Sequence, residues 1–203
     1  MSLAADLRAL GSVGIDEQLT HPTVVGIARG DLDPDVFRRW LEQDYVFLLD
    51  YVRVFSRLAW QAPDAHLGDL VDLAHETFHG ELELHRSLAA GFGADLEGAV
   101  AGPACAAYTS FLLEAAADYG VGLAALYPCM WGYSTLGRRL AAEGVPGDHR
   151  YRAWIDTYAD PGFAALADRI GEMLDEAAPD PDAARTAFLA GMAHELAFWD
   201  VPE

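Results

Sequence analysis

The sequence contains no lysine and no asparagine, and all 13 of its basic residues are arginine. Codons for both missing residues are AT-rich, so their absence points to a GC-rich genome and carries no message about mechanism. Positive charge is scarce overall: 13 basic against 32 acidic residues leave a net charge of −19 over 203 residues. A surface of that sign repels phosphate backbones and anionic lipid heads, which argues against nucleic acid and membrane surfaces as partners. Cysteine is scarce too, and Cys105 and Cys129 alone imply no disulfide framework. No apolar run approaches the roughly 20 residues of a membrane span. The start of the chain has no basic stretch leading into an apolar run, so no signal peptide is expected and the cytoplasm is the default. What the chain has in quantity is hydrophobicity, at 52% of residues, enough for a sizeable core and too much for disorder.

Alternating, strand-like runs are also missing. Between short polar marks at 30–34, 61–64, 91–103, 144–148 and 178–182, apolar residues recur every three or four positions, the helical period. Three helix starts carry Asp followed directly by Pro: Asp33–Pro34, Asp160–Pro161 and Asp180–Pro181. An Asp N-cap ahead of a proline in the first helical position is a helix-start signature. The pattern predicts helices near 2–10, 33–60, 64–91, 103–119, 121–143, 148–158, 161–176 and 182–199. No repeat or linker divides them, so one all-α domain over 1–203 is expected.

Function is sought where polar residues occupy positions that the helical period reserves for apolar ones. In the second helix the stripe runs Phe37, Trp40, Leu41, Asp44, Phe47, Leu48, Tyr51 and Phe55, which turns Asp44 toward the core. In the last helix Glu195 shares a face with Phe188, Met192 and Trp199. A buried carboxylate must be paired, hydrogen-bonded or protonated, and burial raises its pKa toward the range useful for acid–base work. Either residue alone could be a structural tie between helices; two inward carboxylates on separate helices suggest a polar pocket. The third helix gives Leu67, Val71, Ala74, Phe78, Glu81, His85 and Leu88, and the plainer reading of Glu81 and His85, one turn apart, is a satisfied core pair.

In the fifth helix Cys129 and Tyr133 share a face with Leu126 and Leu136, directly after Pro128. A cysteine on an apolar stripe is usually a small inert hydrophobe, and Cys105 is read so. Cys129 stands apart because carboxylates and tyrosines face the same interior. Two metal patterns are set aside. His75-Glu76-Thr77-Phe78-His79 matches the HExxH of zinc proteases, and Glu76 with His79 has the spacing of a di-iron carboxylate pair. Both fall on the polar side of the helix beside Asp72, Glu83 and Arg86, with no second pair elsewhere.

The segment Leu126-Tyr127-Pro128-Cys129-Met130-Trp131-Gly132-Tyr133 resembles the active-site helix of the TenA family, the thiaminase II enzymes. Gln43-Asp44 ahead of an aromatic run, Glu81-Leu82-Glu83-Leu84-His85-Arg86, Ala107-Tyr108-Thr109-Ser110, Trp154-Ile155-Asp156-Thr157-Tyr158 and Glu195-x-x-Phe198-Trp199 follow in the family's order. His21-Pro22 and Gly26 match its early loop, so the resemblance covers about 15 to 200.

The resemblance implies a heme-oxygenase-like helical bundle, without an obligatory cofactor or metal, assembled as a homotetramer. It implies hydrolysis of a small-molecule pyrimidine: thiamin, or its degradation product 4-amino-5-aminomethyl-2-methylpyrimidine, giving the hydroxymethylpyrimidine for thiamin salvage. Carried over by position, Cys129 is the nucleophile and Glu195 the acid–base. Asp44 holds the amidine-like edge of the ring, and Tyr108, Tyr133 and Tyr158 line and orient the site. Phe47 stands where the family commonly has Tyr, so its ring can stack while a hydroxyl is missing from any relay. A family branch carries Glu in place of the cysteine, and Cys129 sets this chain outside it. Two other functions fit the same bundle: an oxidase like the pyrroloquinoline quinone synthesis relatives, and a non-catalytic ligand-binding or regulatory protein.

Overall fold

The computed structural model describes residues 2–200, and among them every regular element is helical. In chain order they are α1 (Leu3–Thr20), α2 (Pro22–Arg29), α3 (Pro34–Gln61), α4 (Asp64–Glu76), a π turn (Thr77–Glu81), α5 (Leu82–Phe92), α6 (Pro103–Ala115), α7 (Tyr119–Ala142), α8 (Arg152–Ala159), α9 (Pro161–Ala177) and α10 (Pro181–Phe198). The all-α expectation holds. So do the three Asp-Pro starts: the carboxylates of Asp33, Asp160 and Asp180 accept from the backbone N–H groups of Asp35 at 2.9 Å, Gly162 at 2.7 Å and Asp182 at 3.1 Å. Each satisfies a donor that the first turn of a helix cannot bond internally.

Two sequence readings are corrected at the N-terminus. The first helix continues to Thr20 rather than stopping near residue 10, because Gly11 is a packing position and not a break. A Cβ there would come within 2.7 Å of the Trp131 ring and 2.9 Å of Phe188. The segment read as an early loop is α2, started by the His21 ring, whose Nδ1 accepts from the Thr23 N–H at 3.2 Å. This short helix anchors the far end of the chain: Thr23 Oγ1 donates to the Trp199 carbonyl at 3.1 Å, and Trp199 Nε1 donates to Gln18 Oε1 at 3.0 Å.

A third correction concerns 64–91, expected as one helix. The π turn over Thr77–Glu81 carries a wider hydrogen bond, from the Leu82 N–H to the Thr77 carbonyl, and so accommodates an extra residue in the turn. The expected stripe is therefore not the buried one. Leu67, Val71 and Phe78 are exposed, and α4 docks instead through His66, Leu70 and Leu73. Beyond the π turn, Leu82, His85 and Ala89 take over the inward face.

The core centres on α7, against which α1, α3, α6, α8, α9 and α10 pack. Sixteen of its residues are buried, from Gly120 to Leu140, as expected of a helix surrounded on all sides. Gly191 lets α10 close on it: a Cβ at that position would lie 2.6 Å from the Ala125 carbonyl and 2.9 Å from Pro128. One turn beyond this contact α10 carries Glu195, and one residue beyond it α7 carries Cys129.

Candidate active site

α3, α5, α7, α8 and α10 bring their out-of-place polar residues to one buried region. Asp44 on α3 is 4% exposed, Cys129 on α7 8% and Glu195 on α10 2%. On the α10 side the Tyr108 hydroxyl of α6 donates to Glu195 Oε1 at 2.6 Å. The Cys129 thiol lies close enough to the Glu195 carboxyl and the Tyr51 hydroxyl for each to influence its titration. Tyr51 itself donates to the Leu126 carbonyl at 3.1 Å. Tyr51 stood on the apolar stripe as a core residue; its hydroxyl is a site group that periodicity cannot distinguish from core packing.

On the α3 side His85 bonds at both ring nitrogens. Nδ1 donates to the Glu81 carbonyl at 2.8 Å, and Nε2 meets Asp44 Oδ2 at 2.6 Å. A carbonyl can only accept, so the proton on Nδ1 is fixed. One further proton must therefore lie between Nε2 and Asp44, or two lone pairs would face each other. His85 is fully buried. Burial alone pushes its pKa down, but the hydrogen bond and charge of Asp44 outweigh that and raise it. The expectation that Glu81 and His85 form a core pair is half met: they bond through the backbone carbonyl of Glu81. The Glu81 carboxyl points elsewhere and accepts from the Tyr158 hydroxyl at 3.2 Å.

Aromatic rings close the region. Phe47 packs between Tyr51, Tyr108 and Phe198, with ring centroids 5.3, 4.9 and 5.4 Å away. Tyr133 lies 4.9 Å from Tyr158 and 5.6 Å from Trp199. The Trp131 ring, by contrast, turns away from Cys129 toward α1 and Phe188. Asp44, Phe47, Leu48, Glu81, Cys129, Tyr133, Tyr158 and Phe163 enclose an inner chamber of about 10 Å³, room for about one water. A ring the size of a pyrimidine enters only if side chains move. Beyond Glu81 and Phe163 an outer cavity of about 650 Å³ opens, lined also by Leu73, Glu76, Met130, Asp156 and Asp160.

Burial dominates the electrostatics. It raises Glu195 to about 8 against the Tyr108 hydrogen bond, and Glu81 to about 7 against the attraction of His85. It also pushes the Cys129 thiol well up, with Glu195, Glu81 and Asp44 adding to the rise. At rest Cys129 is therefore a thiol, and it becomes a nucleophile only if a base takes its proton. Cys105, raised to about 12 by burial, donates weakly to the Gln43 carbonyl at 3.6 Å and stays outside the chamber lining. His75, Glu76 and His79 lie on the exposed face of α4 and the π turn, and among the described residues no three His, Cys, Asp or Glu side chains gather as metal ligands would. None of the described helices is long and apolar enough to cross a membrane.

Residues 13–202 match the model of the TENA/THI-4/PQQC family. The chain belongs to that family. A curated family relative, the aminopyrimidine aminohydrolase of Halalkalibacterium halodurans, is 34% identical over 99% of this chain and 95% of its own length. The solved TenA homologue of P. horikoshii superposes with a TM-score of 0.91 at 25% identity, covering 98% of this chain and 97% of that one. A domain of unknown function from Shewanella denitrificans, described as having a heme oxygenase-like fold, superposes with a TM-score of 0.77 at 16% identity, over 97% and 90% of the two chains. That likeness concerns the fold, and it agrees with the heme-oxygenase-like bundle expected from the family motifs.

Proposed function

We propose that this TENA/THI-4/PQQC family member hydrolyses aminopyrimidines, releasing an amine or thiazole from the exocyclic methylene and leaving hydroxymethylpyrimidine for thiamin salvage. The observation that carries the reading is a buried chamber lined by both Cys129 and Asp44, with Glu195 close to the thiol and His85 bonded to Asp44. The 34% identity to an aminopyrimidine aminohydrolase supports it.

The chemistry follows the residues. Glu195, when ionised, accepts the Cys129 proton, and the thiolate adds to a ring carbon, forming a C–S bond. The ring is easier to attack when protonated, and Asp44, with the proton that it shares with His85, holds the amidine edge in that state. Electrons then flow to the exocyclic carbon and the bond to the leaving group breaks. Water adds to that carbon, the C–S bond breaks, and the ring regains its aromaticity with the thiol restored. Tyr108 orients Glu195, while Tyr133 and Tyr158 give the flat ring its stacking surface and Phe47 adds a face without a hydroxyl.

Incubation with thiamin and with 4-amino-5-aminomethyl-2-methylpyrimidine, followed by mass detection of hydroxymethylpyrimidine, tests the reading directly. Product from neither substrate sinks it. The same reading puts the protein in the cytoplasm, with no cofactor, nucleic acid or membrane partner. It also includes assembly into a homotetramer: Leu67, Val71 and Phe78 present an exposed apolar face and Trp60 is 90% exposed, surfaces that subunit contacts would cover. A light-scattering mass near 22 kDa counts against the assembly.

A further inference from the structure

The sequence reading gives Glu195 both ends of the reaction, the thiol proton and the leaving amine. The geometry separates them. Glu195 sits behind Cys129, held by Tyr108, and is not among the residues lining either the inner chamber or the outer cavity. Glu81 lines both, and so does Phe163. The inner chamber holds the groups that would meet a pyrimidine ring: Asp44, Cys129, Tyr133 and Tyr158. The outer cavity adjoins the inner chamber at Glu81 and Phe163, so a substituent on the ring's exocyclic carbon that extends into it passes Glu81.

We propose that Glu81 is the catalytic acid for the leaving group, and that the outer cavity is the space that receives it. The inference rests on the hydrolase reading above and divides the labour within it. A primary amine on the methylene and the Glu81 carboxyl hold one transferable proton between them. As the C–N bond breaks, its electron pair goes to nitrogen, the proton is on nitrogen, and ammonia leaves neutral. Glu81 suits the task because burial keeps its carboxyl protonated up to about 7, and the Tyr158 hydroxyl fixes its orientation. The groups facing it are Asp44 from α3, His85 from α5 and Tyr158 from α8. No basic residue lines the outer cavity among the described residues; Glu76 and Asp160 add negative charge there, and Asp156 is offset by Arg152 at 3.0 Å. The space therefore favours substrates whose substituent carries positive charge before it leaves, a protonated amine or a thiazolium.

Thiamin makes the test sharp, because its thiazolium nitrogen takes the electron pair and departs neutral with no proton at all. Glu81→Gln keeps the shape of the protonated acid, so the fold is expected to survive, as circular dichroism checks. Its kcat on the aminomethylpyrimidine should fall about a hundredfold or more, while kcat on thiamin changes by no more than a few-fold. Glu81→Asp, with its carboxyl one methylene short, should show the same selective loss to a smaller degree, and it carries the test if the Gln variant does not fold. Equal losses on both substrates, or an unchanged rate on the amine, overturn the proposal and leave the hydrolase reading standing. Cys129→Ser measured alongside separates the two: it should abolish both activities, and near-wild-type turnover there overturns the hydrolase reading and this proposal together.

Discussion

Asp44 and Glu195 are both buried carboxyls on long helices, yet the chamber treats them differently. Asp44 has a titratable partner in His85, whose own tautomer is locked by a backbone carbonyl, so that wall holds a proton inside a pair. Glu195 has no cationic partner, and burial, with a smaller push from the Asp44 charge, raises it to about 8 against the Tyr108 hydrogen bond. On the proposed reading, one wall holds an ionic edge of the substrate in every cycle. On the same reading, the other changes charge during the cycle, next to the thiol whose proton moves.

Breaking the reactive wall should have the largest effect. Cys129→Ser keeps the volume, so the fold should survive while turnover falls by roughly a thousandfold or more, the scale of losing a covalent nucleophile. Cys105→Ser, outside the chamber lining, should leave turnover close to wild type. Steady-state kinetics on the aminomethylpyrimidine, with circular dichroism beside it, measures both.

Breaking the paired wall should show first in stability. His85→Leu leaves Asp44 buried without its partner, a loss of about 3–5 kcal/mol, read by urea unfolding. Adding Asp44→Leu should restore part of it, because the orphaned charge is then gone. If the single variant is as stable as wild type, the shared proton is not what holds that wall.

Glu195→Gln sharpens the contrast because activity and stability should move in opposite directions. Turnover should fall about a hundredfold. The folded-state pKa of about 8 lies above the ordinary 4.5, so the folded protein binds the proton more tightly than the unfolded chain. Wild-type stability from this group is complete below about 4.5 and is lost as pH rises through about 8. The Gln variant should escape that loss, melting higher relative to wild type at pH 9 than at pH 4. On thiamin, whose departure needs no proton from Glu81, the free enzyme's kcat/KM should rise with pH through about 8 as Glu195 ionises, and a flat profile there would mean that another group takes the thiol proton.

The smallest effect belongs to Phe47→Tyr, which adds a hydroxyl to the ring packed against Tyr51 and Tyr108. Turnover should rise a few-fold, or hold if Tyr51 already supplies that donor. A large loss with the fold intact shows that the chamber is shaped around Phe.

Much of this was legible along the chain, because a helix whose period is broken by a single carboxylate or thiol advertises it. Asp44, Glu195 and Cys129 interrupt regular apolar stripes, and the structure buries all three, with Asp44 and Cys129 lining the inner chamber and Glu195 outside that lining. Asp-Pro starts fix helices by local hydrogen bonds, and local rules suffice there. Three features lay beyond such rules. The first helix is expected only near 2–10, because spacing does not reveal the Trp131 ring for which Gly11 leaves room. Tyr51 looked like core because its ring is core, and only its hydroxyl belongs to the site. The stripe through Leu67, Val71 and Phe78 misled because an unbroken 3.6-residue period was assumed through a turn that is wider.

That wider turn leaves a mark on how the protein can vary. A π turn is a helix with one residue to spare, and removing that residue would give α4 and α5 a single unbroken register. Such a chain would satisfy its backbone more regularly, yet everything after the splice would rotate by about 100°, swinging Glu81 and His85 away from Asp44 and Tyr158. Single deletions at Phe78, His79 or Gly80 should therefore yield helical but inert protein, less stable than wild type because Asp44 loses His85 and the buried face of α5 turns outward. The irregularity that aims half of the chamber thus also holds the core of α5 in register.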